Sequence, residues 1–235
     1  MPEANTFDPA VLDRLEQLRD KYAAMGQDLV SYLDGLLHAD FPTYWDYINL
    51  DTLLSLQHPV TPFPDEEIFI IYHQTTELYF KLSLHELRQL HSAQSLSGPE
   101  MLERVRRVNR YFKVLVDSFD VMVEGLDHKQ FLKFRMSLLP SSGFQSVQYR
   151  LVELACTTMD CLVHIELRAN RLSHSFDDVE SMFDELYWRR GATELATGQP
   201  TLTLKQFEAK YRDSIIAFAE ERFHSNVRRQ WQGLS

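Results

Sequence analysis

LERVRRVNRYFKVLVDSFDVM (Leu102–Met122) decides the fold class. Its apolar residues Leu102, Val105, Val108, Phe112, Leu115, Phe119 and Met122 recur at intervals of three and four. That spacing lays side chains along one face of an α-helix. The basic residues between Glu103 and Lys113 fall on the other side, where they suit a solvated helix surface better than a nucleic-acid groove.

The same period extends outward in both directions. Toward the N-terminus, SLSGPE punctuates the chain, and the preceding helix runs to Leu90 from an acidic start at Asp65, Glu66 and Glu67. HPVTPFPDEE before it carries three prolines in six positions and reads as a loop. Upstream lie a short helix in INLDTLLSLQ, the aromatic stretch HADFPTYWDY, and one long first helix with Val11, Leu15, Leu18, Tyr22, Met25, Leu29 and Leu33 along one stripe.

Toward the C-terminus, Asp127 with Gln130 resembles a capping box. LLPSSGF reads as a turn, with Gly143 free to take positive φ. Helices are expected from about Gln145 to His174, from Phe176 to Trp188 and from Leu204 to Gln230, with RRGATELATGQPTLT as an irregular connection. With no repeat and no convincing strand, the reading is a single all-α domain over residues 1–235.

The 235 residues are 44% hydrophobic and 25% charged, the composition of an ordinary globular protein. No apolar run approaches a membrane span, and MPEANTFDPAVLDRLEQL lacks the pattern of a secretory signal. Cys156 and Cys161 are spaced so that one helix would not place them on a common face, which argues against a disulfide. A reduced, cytoplasmic protein without membrane attachment is expected. The formal net charge of −10 disfavours nucleic acid as a partner.

Two residues stand out chemically. His73 shares a helix side with Phe69, Thr76 and Phe80, beside Ile70 and Glu77. A neutral imidazole there can bond a substrate or bind iron, or it can be a core histidine satisfied by Glu77 or a backbone carbonyl. Arg135 follows Phe131, Leu132 and Phe134, with Ser141, Ser142 and Gly143 just beyond. A guanidinium fork beside a Ser-Ser-Gly turn can grip an amino-acid carboxylate, or it can tie down a helix end.

Three segments carry a family resemblance. FIIYHQTTELYFKL (Phe69–Leu82) and FRMSLLPSSGFQSVQYR (Phe134–Arg150) are similar to two motifs of haem-dependent tryptophan 2,3-dioxygenases, and TYWDYINLDTLLSLQHP is similar to a third. They occur in the family's order over residues 43 to 150. The resemblance implies the all-helical tryptophan/indoleamine dioxygenase fold, with haem b in each subunit of a homo-oligomer, dimer or tetramer. It implies that His73 contacts the indole N–H, Arg135 takes the substrate carboxylate and Phe69 packs on the indole. Tyr44 and Tyr47 match tyrosines that reach a neighbouring subunit's pocket, and Ser142 with Gly143 would lie by the haem edge. Phe131 stands where the family often has tyrosine, which removes a hydroxyl from the substrate site.

The family's axial histidine lies in a late helix, followed by a Gly-Thr-Gly-Gly-like loop with no counterpart in these residues. His224, followed by Val227 and Arg228, is the candidate haem ligand, ahead of His164 and His174. The rival placements are an exposed histidine among charges and a ligand in a further C-terminal segment. The expected function is a haem oxygenase that inserts oxygen from O2 at the C2–C3 bond of L-tryptophan or a derivative. The product would be N-formylkynurenine or a related oxidised compound. The alternatives are a haem-free relative that binds an aromatic amino acid or a protein partner, and an acidic helical scaffold.

Overall fold

Caps and helix-breaking residues set where each helix stops. The computed structural model describes residues 7–40, 42–92, 97–168, 179–194 and 197–234. Among them the regular structure is helical, and the only strand-like pairings are isolated bridges at Val163–Leu186 and Thr193–Pro200. The described residues gather into two compact units, divided between Leu56 and Gln57. No helix among them is long and apolar enough to cross a membrane.

The first unit holds α1 (Pro9–Ala24), α2 (Leu29–Leu37), α3 (Tyr44–Tyr47) and α4 (Leu50–Leu53). The single first helix expected from the apolar stripe is two helices. Gly26 takes φ 67°, a left-handed conformation that ends α1, and Asp28 caps α2 by accepting the Ser31 N–H at 2.9 Å. Tyr22 and Tyr32 stack at 4.4 Å across the break, while Val11, Leu18 and Met25 of the expected stripe stand exposed.

The second unit is built on α5 (Asp65–Ser92), a continuous helix of 28 residues. At its N-terminus the buried Glu66 carboxylate accepts N–H bonds from Val60 at 2.9 Å and Thr61 at 2.8 Å, and a third bond from the Thr61 hydroxyl. The proline-rich loop is thereby fastened to the helix. A second tie runs from the Gln57 side-chain amide to Gln74 at 2.6 Å. Further along α5, Leu84, Leu87 and Leu90 enter a core with Met101, Val152 and Ala155.

Helix α6 (Gly98–Ser118) starts with a full capping box between Ser97 and Glu100. Its stripe is half-buried in the middle, where Val105, Val108 and Phe112 pack on the α5 core. The ends depart from expectation. Met101 takes the buried position while Leu102 is 42% exposed, and Phe119 is 55% exposed where the chain turns from α6 into α7 (Asp120–Val123). Glu86 of α5, itself buried, pairs with Arg104 at 2.8 Å and Arg107 at 3.5 Å and so locks the two helices together.

Helix α8 (His128–Phe134) is capped by Asp127, and its start is bound to that of α5 through the Asp127 N–H to Asp65, at 2.6 Å. The chain continues as a 3-10 turn, Arg135–Leu138, then a second one, Gly143–Gln145. Gly143 does not take positive φ, contrary to expectation; its φ lies on the ordinary side, and the turn closes instead through Ser142 and Gln145.

The long helix expected from Gln145 to His174 ends early. Helix α9 (Val147–Cys156) stops where Thr157 goes extended, since two β-branched residues in succession favour that backbone. A 3-10 turn (Met159–Leu162) and α10 (Ile165–Arg168) follow; residues 169–178, with His174, lie outside the described residues. Cys156 and Cys161 are both free thiols. Helices α11 (Val179–Phe183) and α12 (Tyr187–Gly191) flank Leu186, and α13 (Leu202–Arg222) packs on them through a core that includes Phe183, Leu186, Trp188, Leu204, Phe207 and Ile215. The expected last helix is interrupted. Buried Asn226 accepts the Arg229 N–H and opens α14 (Val227–Leu234) after a turn at residues 223–226.

The Glu66 anchor has a pH signature. Burial alone would raise its carboxyl pKa, but the Thr61 hydroxyl and the Val60 and Thr61 N–H bonds outweigh it, and the net shift is below the ordinary value of 4.5. The unfolded chain therefore binds the proton more readily, so this stability is present above about pH 4.5 and is lost as pH falls through the lower folded value. Glu66→Gln should cost about 1–3 kcal/mol at pH 7, and thermal melts from pH 7 to pH 3 should show the two proteins converging. Parallel curves would remove Glu66 from the acid response.

Candidate functional site

The N-terminal half of α5 and the end of α8 form an aromatic patch within the second unit. Phe134 is fully buried and forms its floor. The Phe131 ring meets it edge-on at 5.5 Å, and the Phe69 ring lies 5.9 Å from Phe134 and 6.3 Å from Phe131. These contacts follow from sequence: Phe131 and Phe134 are one helical turn apart, and the Asp65–Asp127 bond sets both helices in register.

His73 lies over this patch, one turn after Phe69, with ring centroids 4.1 Å apart. Tyr72 meets the imidazole edge-on at 5.9 Å and also touches Phe119. The His73 ring is exposed, whereas the apolar neighbours in sequence suggested burial. Its Nδ1 is 2.7 Å from the Phe69 carbonyl oxygen. A carbonyl can only accept, so Nδ1 carries the proton and the neutral ring presents Nε2 as an acceptor. Glu77, the other partner considered, instead accepts from the Gln148 amide at 2.8 Å.

Arg135 begins the turn directly after Phe134 and is exposed. Among the described residues no carboxylate lies within ion-pair distance of it. That leaves the guanidinium fork available to an anionic ligand at the border of the aromatic patch. The structure thus brings together Phe69, His73 and Phe131, with Arg135 at their edge.

Other expected site residues are placed elsewhere. Ser142 and Gly143 are exposed, and their turn is tied to the start of α13 by Gln145 to the Thr203 carbonyl (3.2 Å) and Thr203 to the Pro140 carbonyl (2.7 Å). Tyr44 and Tyr47 belong to the first unit, where both are highly exposed, with Trp45 between them. The first unit also holds a cavity of about 480 Å³, lined by Leu18, Tyr22, Leu29 and Tyr32 among others, which contains no candidate residue.

His224 does not face His73. It is exposed in the turn after α13, and its neighbour Ser225 bonds His91 Nδ1 at 2.5 Å. Gln230 of α14 likewise reaches the Leu90 carbonyl at 2.9 Å. His91 is half-buried, and burial, with Arg222 nearby, lowers its pKa. His73 and His91 lie eighteen residues apart on one continuous helix, roughly 27 Å at 1.5 Å per residue. An axial ligand and a distal histidine must both lie within a few ångström of one iron. His73 and His224 therefore do not form the two sides of a single haem site in this structure. His164, the next candidate, accepts from Arg190 at 2.8 Å.

Sequence reading missed the supporting residues. Tyr72 and the Gln57–Gln74 pair border His73, and Gln148 fixes Glu77 one turn on. Polar side chains in the quoted motifs were the available signal.

Comparison with known proteins adds an independent finding. The family model described as Tryptophan 2,3-dioxygenase matches residues 36–224. A tryptophan 2,3-dioxygenase of Ruegeria sp. (strain TM1040) is 46% identical over 116 residues, covering 49% of this chain and 41% of that protein. One from Pseudomonas fluorescens is 31% identical over 199 residues, covering 82% of this chain and 70% of that protein. The chain thus spans about two fifths of the length of the first relative.

The tautomer is directly measurable. Nitrogen-15 NMR of the His73 imidazole at pH 8 should show a protonated Nδ1 and an unprotonated Nε2; the opposite pattern would make Nε2 a donor and leave the acceptor nitrogen on the side of the Phe69 carbonyl.

Proposed function

The chain belongs to the tryptophan 2,3-dioxygenase family, and on that premise we propose that it is a haem-dependent oxygenase acting on the indole ring of L-tryptophan or a tryptophan derivative. The observation that carries this reading is the Nδ1 bond of His73 to the Phe69 carbonyl, which turns Nε2 outward as an acceptor above an aromatic patch. An indole N–H is the complementary donor. Arg135 takes the amino-acid carboxylate, and Phe69 and Phe131 receive the ring face. Phe131 offers no hydroxyl, so indole orientation rests on His73 and packing.

Haem b, when bound, supplies the iron that activates O2 for insertion at C2–C3, giving N-formylkynurenine or a related oxidised product. The chain's own residues bind and orient: a fixed imidazole acceptor and a guanidinium hold the two ends of the substrate. Ser142 and Gly143 are the proposed contacts of the haem edge. A cytoplasmic homo-oligomer fits this reading, with Tyr44, Trp45 and Tyr47 as exposed aromatic contacts. The position of His224 favours a second reading, a haem-free relative that binds an aromatic amino acid at the same patch.

An absorption spectrum with added haemin and dithionite separates the two. A Soret band that shifts on reduction supports the oxygenase, and no haem uptake supports the binder. Because His224 lies at the far end of α5, the band should survive His224→Ala. Its loss would mean that α13 and α14 rearrange to bring that imidazole to the iron.

Tryptophan affinity tests the substrate site in either case. Arg135→Ala should weaken it roughly ten- to a hundredfold, since a charge-assisted contact is worth about 1.5–3 kcal/mol. An unchanged affinity by calorimetry would remove Arg135 from the site.

A further inference from the structure

A second, polar cleft lies at the opposite end of α5, between the 158–168 segment and α14. Its volume is about 190 Å³, and three arginines line it: Arg168, Arg228 and Arg229. Asp160 is the one carboxylate in the wall, and Thr158 and Gln232 contribute neutral polar groups.

The arginines here are partnered unlike most described elsewhere in the unit. Arg104 and Arg107 pair with Glu86, Arg150 with Glu153, Arg189 with Glu208, Arg190 with Glu166 and Arg212 with Glu180. Among the described residues, Arg168, Arg228 and Arg229 have no carboxylate within ion-pair distance. Arg168 is held by the Val163 carbonyl at 3.1 and 3.3 Å, Arg229 stacks over Phe223 at 5.5 Å, and Arg228 donates to the Cys161 sulfur. Asp160, whose carboxylate accepts from the Cys161 thiol at 3.7 Å, offsets one of the three charges.

Three guanidiniums and one carboxylate leave two net positive charges around a small cavity, in a chain whose net charge is −10. Among the described residues Asp160 alone offsets the mutual repulsion of the three, although acidic residues outnumber basic ones in the chain. Each guanidinium is already steered by a neutral group, which leaves N–H donors for an anion. The cavity is below the roughly 300 Å³ at which pockets for larger organic ligands begin.

We propose that this cleft binds a phosphate-class dianion, either inorganic phosphate or the phosphate of a small phosphomonoester. Arg168 and Arg228 grip it from opposite walls, and Thr158 and Gln232 border it. The site is independent of the aromatic patch and of the oxygenase reading.

The test is calorimetric titration of the full chain with inorganic phosphate and, separately, with glycerol phosphate. One-to-one saturable binding with Kd of about 1 mM or tighter is expected, weakened about tenfold or more in Arg168→Gln and in Arg228→Gln, with His73→Ala unchanged. Binding of both ligands identifies the free anion as sufficient; binding of glycerol phosphate alone assigns the site to a phosphomonoester. Thiol alkylation provides a second readout. Bound anion should slow modification of Cys161, while Cys156, whose thiol is pushed up to about 11 by burial and by Glu153, stays slow throughout. No saturation by either ligand overturns the proposal, and so does binding that both arginine variants retain at full strength.

Discussion

An unbroken helix of 28 residues must serve two environments at once, and this constraint on α5 organises the second unit. At 1.5 Å per residue it extends roughly 42 Å, farther than one small core can cover. Its C-terminal half is buried through Leu84, Leu87 and Leu90, with Glu86 paired to two arginines of α6. Its N-terminal half leaves Ile71, His73 and Leu78 exposed. Stability is concentrated at one end, and the residues suited to ligand chemistry stand at the other.

Rigidity at the exposed end comes from polar ties rather than from core packing. Glu66 gathers the proline-rich loop, Asp65 binds the start of α8, and Gln148 reaches Glu77 from α9. Each tie satisfies donors that would otherwise compete for water, so the patch around His73 holds its shape without being buried. The imidazole is oriented by a backbone carbonyl of its own helix. Its acceptor face thus depends on local helical geometry and needs no distant partner.

The two ends also separate two kinds of chemistry. An aromatic surface with one imidazole and one guanidinium suits an amphipathic amino acid. The arginine-lined cleft near α14 suits a compact anion. At both sites the arginines have no carboxylate within ion-pair distance among the described residues, in a chain where acids are plentiful, and this supports the two ligand-binding proposals.

Periodicity and punctuation determined much on their own: the all-helical class, the loop at Pro59–Pro64, the cap at Asp127, and the pairing of His73 with Phe69 one turn apart, because these are local properties of the backbone. The motifs around His73 and Arg135 were legible through their resemblance to the family, since spacing alone left the bland alternatives open. What periodicity could not give was continuity. One stripe runs through α1 and α2, yet Gly26 and Asp28 divide it, and the last helix breaks at Asn226, because a cap competes with helix propagation. Only tertiary structure decided which histidines meet. His224 follows a late helix as the family pattern leads one to expect, but the packing of α13 and α14 sets it beside His91, at the other end of α5 from His73. That distance is fixed by long-range contacts between helices, which no spacing along the chain encodes.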